Sequence, residues 1–290
     1  MRGTSGQPRL RRGTKTSGLG RLWLLPVLAW AAGCAPALMS LPAGPGAPVP
    51  GFADILQQAT AACGSVRTFS AEIAVAGRLG SRRVRGRLLA GLDAPDGLRL
   101  EGLAPFGGPV FVLVARAGRA TLLLPRDGRV LRGAEPGAVL EALTGLTLSP
   151  ADLLAIVSGC GVARRTPVSA RAYGRDWLRV DLAAGARLYL RREDGAWRLV
   201  AAVEPRAGHD GLRIEYGAMQ QGPKTLRLID GDGRLDLRLT LSQVDLNVPL
   251  NPRAFRVRVP DDAAPITLDE LRRLGLLGGG TDTDTHAPSR

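Results

Sequence analysis

The chain offers few side chains that do covalent chemistry. Its two histidines are His209, in an expected loop, and His286, near the C-terminus. A Ser-His-Asp triad or a histidine-ligated zinc would therefore depend on His209 alone. Asp230-Gly-Asp-Gly-Arg-Leu-Asp236 spaces carboxylates as in the first half of a calcium loop. Its glycine is misplaced for that role and no glutamate closes it, so a hairpin turn is the better account. No glycine-rich phosphate loop follows a strand and opens a helix. The expectation is a protein with no catalytic residue, no metal and no cofactor.

The three cysteines divide into two kinds. Cys34 follows a basic segment over residues 1–21 and the apolar run Leu22–Ala32. That run is too short to span a bilayer, which takes about 20 apolar residues, and it contains Pro26. Residues 1–33 therefore read as an export signal. Ala31-Ala32-Gly33-Cys34 resembles the bacterial lipobox, which implies cleavage before Cys34 and lipidation of its thiol; an ordinary signal peptide with an incidental cysteine is the alternative. Ala35, in place of the aspartate that retains such lipoproteins in the inner membrane, implies an outer-membrane address facing the periplasm. Residues 34–50 hold five prolines and no charged side chain and read as a tether. Cys63 and Cys160 each end an expected helix with a glycine next. In an oxidising compartment they form either a disulfide or two separate buried thiols.

One turn breaks the usual composition rule. Ala104-Pro-Phe-Gly-Gly-Pro109 lies between two apolar-rich strands, stiffened by its prolines and opened by its glycines. Phe106 sits at its tip, where small or polar residues are the norm. Exposed, it forgoes roughly 1.5–3 kcal/mol of burial, so it either folds back on the core or meets an apolar partner.

The run Leu98–Leu131, with Pro105-Phe106-Gly107 at its centre, resembles the outer-membrane lipoprotein insertases of the LolB type, in the LolA/LolB family. Leu143-Thr-Gly-Leu-Thr-Leu-Ser-Pro150 is similar to that family's connection between two helices. The resemblance implies an incomplete barrel whose concave face is lidded by helices. It also implies a membrane-inserting loop at Pro105, Phe106 and Gly107, and acceptance of lipoprotein acyl chains from a periplasmic LolA-like carrier for delivery into outer-membrane lipid. Phe69, Ile73, Val75, Leu98, Leu100 and Phe111 are the expected lining of an acyl cavity; the plainer alternative is that they fill an ordinary core. A second functional reading is a lipid-anchored structural or regulatory module that holds a protein partner or senses lipid without transferring it.

The elements that would position these residues follow from periodicity. Phe52–Cys63, Glu135–Leu143, Ser149–Val157 and Leu268–Leu274 carry helical spacing, the third opened by a capping-box pattern with Pro150 at its first position. Short alternating runs from Thr68 to Arg132 and from Asp176 to Leu241 predict about eleven antiparallel strands, with Phe255–Val259 as a further extended segment. The predicted fold class is α+β, a curved antiparallel sheet with helices covering its concave face. A single domain over 51–275 and a disordered tail over 276–290 complete the layout.

The net charge of +13 invites a nucleic-acid reading. All but two of the 39 basic residues are arginine, many alternating with apolar residues and acids as on the solvated face of a strand. Six basic residues and no acid precede Cys34, so processing takes the charge to +7. With no aromatic-basic motif, nucleic acid is not an expected partner; attraction to anionic lipid head groups is the better match.

Overall fold

Strand alternation and helix caps account for most of the architecture. The computed structural model describes residues 38–104, 108–160, 165–206, 209–217 and 224–274. The chain divides into two compact units, Met1–Ser40 and Leu41–Arg290, and every element below belongs to the second. The elements run β1 (Ala47–Pro48), α1 (Phe52–Thr60), β2 (Thr68–Leu79), β3 (Arg82–Asp93), β4 (Gly97–Leu103), β5 (Pro109–Arg116), β6 (Arg119–Leu124) and β7 (Arg129–Ala134). Then come α2 (Pro136–Thr144), α3 (Pro150–Val157), β8 (Pro167–Tyr173), β9 (Trp177–Leu182), β10 (Arg187–Glu193), β11 (Ala196–Arg206) and β12 (His209–Tyr216). The chain continues through β13 (Thr225–Asp230), β14 (Leu235–Leu246), β15 (Ala264–Pro265) and α4 (Leu268–Leu274).

All fifteen strands among the described residues join one curved, open sheet in the order β1-β8-β9-β10-β11-β12-β13-β14-β2-β3-β4-β5-β6-β7-β15. Two meanders, β2–β7 and β8–β14, are fused where β14 pairs antiparallel with β2. The strand count exceeds the expected eleven. β8 carries no clear alternation, Ala170 being its buried residue, and β1 and β15 are two-residue pairings at the sheet edges. Short edges of this kind leave little unpaired backbone to recruit another chain.

The inner face follows the pleat. Phe69, Ala71, Ile73 and Val75 of β2 are buried and the intervening residues are not. The four helices pack on this face: Ile55 and Leu56 of α1, Val139, Leu140 and Leu143 of α2, Leu154 and Val157 of α3, and Leu271 of α4 join the main apolar cluster. α2 begins where the Glu135 carboxylate accepts from Ala138 N at 2.7 Å. α3 begins with the reciprocal box expected from sequence, Asp152 N donating to Ser149 Oγ and Ser149 N to Asp152 Oδ2.

β5 is apolar on both sides because both sides are covered. Phe111, Leu113 and Ala115 face the main core, whereas Val112 and Val114, with Leu123 and Val130, form a second cluster under Val257, Val259 and Ala263. The segment expected as extended at Phe255–Val259 is a strap over the outer face, entered through a 3-10 turn at Pro252–Phe255. Arg99 of β4 holds it by donating to Ala254 O at 2.6 Å and Arg256 O at 3.3 Å. With its backbone tied to that guanidinium and Val257 and Val259 half-buried beneath it, the strap has no ladder to join.

Gly77 is required where the meanders fuse. Its φ is +149°, and a Cβ there would lie 2.0 Å from the Asp236 carbonyl oxygen of β14. Gly77→Ala is expected to cost about 1–3 kcal/mol through backbone displacement. Gly86→Ala, at a β3 position where a Cβ meets nothing within 4 Å, is expected to cost nothing and to gain up to about 1 kcal/mol. Urea midpoints of the two variants check the contrast.

Candidate functional site

Between the sheet and the helices lies an apolar cavity of about 240 Å³. Its floor is built by Ile73, Val75, Leu100 and Phe111 with Leu228 and Leu237 from β13 and β14; its roof is Leu140 of α2, Leu146 and Leu148 of the connection, and Leu153 and Val157 of α3. No acidic side chain among the described residues lines it. Its one side-chain hydroxyl, on Thr144, donates to Leu140 O at 2.7 Å and accepts from Leu146 N at 3.1 Å, so it offers an occupant no free polar group. Arg85, Gly86 and Arg87, all exposed, lie at the margin.

Missing volume makes the cavity. Rows of paired residues run across β2, β3 and β4. Phe69, Leu92 and Leu98 form a row of large side chains; the next holds Ala71, Ala90 and Leu100, and the next Ile73, Leu88 and Gly102. Beyond these Val75 pairs with Gly86. Packed interiors leave few voids larger than a water, so alanines and glycines on an inner face open space that nothing refills. The Phe111 ring lies over Gly102, where a Cβ would come within 2.3 Å of Phe111 Cε1.

Four of the six residues expected to line the site do so. Phe69 and Leu98 do not: they are 1% and 0% exposed and belong to the filled row beside the void. They share the lining face but neighbour large side chains. The roof leucines and the β13–β14 residues were not singled out from sequence. The one signal that would have found the floor is the cluster of small residues at inward positions.

Pro105, Phe106 and Gly107 lie outside the described residues, as does Cys34. The described stems of that loop, Leu103 and Val110, both line the cavity.

Cys63, in the 3-10 turn after α1, is bonded to Cys160 after α3, with the two Cα atoms 5.5 Å apart. The bridge ties α1 to the helix that supplies Leu153 and Val157 to the roof.

Glu204 of β11 is close enough to α3 for the Asp152 carboxylate to act on it. Its Oε2 pairs with Arg165 Nη2 at 2.7 Å, while Oε1 is buried without a hydrogen-bond partner among the described residues. Burial pushes its carboxyl above the ordinary glutamate value, Arg165 opposes this, and the Asp152 carboxylate adds to it. The folded state then holds this proton more tightly than the unfolded chain. Stability from this group is fully present below the ordinary value of 4.5 and is lost as pH rises through the raised one. A series of urea midpoints against pH should fall over that window, and Glu204→Gln should flatten the fall.

Among the described residues no group of three or more His, Cys, Asp or Glu is placed to hold a metal, and no helix is long and apolar enough to cross a membrane. Asp230-Gly-Asp-Gly233 forms the β13–β14 turn, with Asp230 Oδ1 accepting from Leu235 N at 2.8 Å.

No protein-family model and no curated protein matches the sequence. Among solved structures the chain is similar to a LolA-superfamily protein from Nitrosomonas europaea, at 11% identity over 70% of this chain and 96% of that one, with a TM-score of 0.48. It is similar to a domain from Vibrio parahaemolyticus assigned to outer-membrane lipoprotein sorting, at 12% identity over 66% and 89%, TM-score 0.41. A DUF1329-family protein from Desulfovibrio piger matches at 10% identity over 70% and 95%, TM-score 0.43. Each is a likeness of fold, with no residue carried over.

Proposed function

We propose that this protein, anchored through lipidated Cys34 to the outer membrane, accepts the acyl chains of lipoproteins from a periplasmic LolA-like carrier and passes them into outer-membrane lipid. The observation that carries the reading is the apolar cavity whose rim includes Leu103 and Val110, the stems of the Pro105-Phe106-Gly107 loop. Each methylene moved from water into apolar surroundings gains about 0.8 kcal/mol. The cavity takes part of a chain and the bilayer takes all of it, so transfer runs downhill with no cofactor. The chain's own residues exclude water, and Phe106 enters the lipid to ease release.

Phe106→Glu tests this. It is expected to leave folding and acyl binding unchanged and to stall delivery from a loaded carrier to outer-membrane vesicles; unchanged delivery overturns the role. The cavity volume favours one competing reading, because 240 Å³ falls just under the roughly 300–1,000 Å³ of small-molecule sites. That reading is an anchored module that senses a single chain or holds a protein partner. Depletion separates them: lipoproteins stranded in the inner membrane support transfer, and normal sorting supports the module.

A further inference from the structure

The outer face of the sheet beside the cavity mouth is a bare field of arginines. Register places Arg85, Ala76, Arg238 and Arg227 in one row across β3, β2, β14 and β13, with Arg83, Arg78 and Asp236 in the next. Arg78, Arg83, Arg85, Arg87 and Arg238 are all exposed, and so are the small residues between them, Ala74 and Ala76. Among the described residues no helix packs over this patch, because the described helices occupy the opposite face.

Two of the arginines are internally neutralised. Arg227 Nε lies 2.8 Å from Asp236 Oδ1, and Arg87 Nη1 lies 3.1 Å from Glu72 Oε1. Arg78 and Arg238 both help hold the Asp236 carboxyl below its ordinary range, behind the larger effect of Arg227, so that one acid is shared among three cations. The side chains of Arg83, Arg85 and Arg238 form no ion pair or hydrogen bond among the described residues. With strands roughly 4.8 Å apart, Arg85 and Arg238 stand about 10 Å from each other across Ala76, within a Debye length at moderate salt. Like charges at this spacing repel, and nothing in the fold requires them there.

We infer that this face docks on an anionic lipid surface. Three observations favour lipid over other polyanions. The strand that carries Arg83, Arg85 and Arg87 lines the apolar cavity with its other face, and Arg85 and Arg87 themselves stand at the cavity margin, so the basic patch and the margin share an edge of the sheet. Leu89, 41% exposed, continues the same face beyond Arg87, apolar surface that a head-group layer absorbs. The patch contains no aromatic side chain, so single-stranded nucleic acid would find no stacking platform. The inference rests on the acyl-transfer reading in requiring the mouth to face a membrane.

The test is co-flotation of the full chain carrying Cys34→Ala with vesicles of phosphatidylcholine alone or with about 30 mol % phosphatidylglycerol. It is run beside the same chain with Arg83→Gln, Arg85→Gln and Arg238→Gln. The basic N-terminal segment is common to both chains, so their difference reads the sheet face. Expected is a loss of about fivefold per arginine, on the order of a hundredfold for the three, on anionic vesicles only, shrinking as salt rises to about 0.5 M. Equal binding by the two chains overturns the inference, as does tighter binding to duplex DNA than to vesicles. Acyl delivery measured in the same samples separates the readings: docking without delivery supports the surface and rejects transfer, while delivery with no phosphatidylglycerol dependence rejects the surface alone.

Discussion

Gly86→Phe is expected to lower the affinity for a fluorescent fatty-acyl probe by tenfold or more while leaving the urea midpoint level or slightly raised. Gly86 faces the cavity from β3, and a Cβ there meets nothing within 4 Å. A phenylalanine therefore has room to enter from a backbone that needs no rearrangement. Glycine inside a strand costs roughly 0.5–1 kcal/mol relative to alanine, and aromatic residues are favoured in strands, so the substitution removes a local penalty while it fills the void. Substitutions that abolish binding commonly also damage folding; this one is expected to separate the two. Gly102→Ala is the matched contrast. There the Cβ comes within 2.3 Å of Phe111 Cε1, so the ring must move into the cavity and both stability and uptake should fall. Probe uptake by Gly86→Phe equal to that of the unaltered chain would remove the cavity from the mechanism.

Why the floor but not the roof was legible follows from which patterns are local. The inward set Phe69, Ile73, Val75, Leu98, Leu100 and Phe111 follows from period-two alternation, and all six are on the inner face. Alternation gives the face of a residue and says nothing of its neighbours two strands away. Whether a position opens on empty space or on Leu92 depends on register, which is long-range. Phe69 and Leu98 therefore fell on the wrong side of the cavity wall. The roof was harder still, because Leu146 and Leu148 sit in an irregular connection between helices where no period applies. The helix starts read well, since the Ser149–Asp152 box closes within four residues. The strap at Phe255–Val259 shows the converse: its apolar alternation is real, but it records packing on Val112 and Val114, not pairing in a ladder.

Replacing Cys63 and Cys160 by serine is expected to cost about 4–5 kcal/mol, because the bond closes a loop with a sequence separation of 97 and a loop of that length loses this much closure entropy in the chain-entropy model. For a domain of this size that corresponds to a fall in Tm of roughly 10–20 °C. A second consequence is specific to the site. α1 is short, with no fully buried residue of its own, so the bond is a main restraint joining it to α3, whose Leu153 and Val157 close the cavity. Freed of that tie, α3 should open more often, and dissociation of a bound acyl probe should accelerate relative to the oxidised chain. Stopped-flow displacement with and without reductant measures the second effect, and thermal unfolding of the serine variant measures the first. The two are separable: lost stability with unchanged dissociation makes the bond a staple of the fold, whereas faster dissociation makes the α1–α3 tie part of the gate. Identical mobility of thiol-labelled chains before and after reduction would mean that no bond forms, and both expectations would fall together.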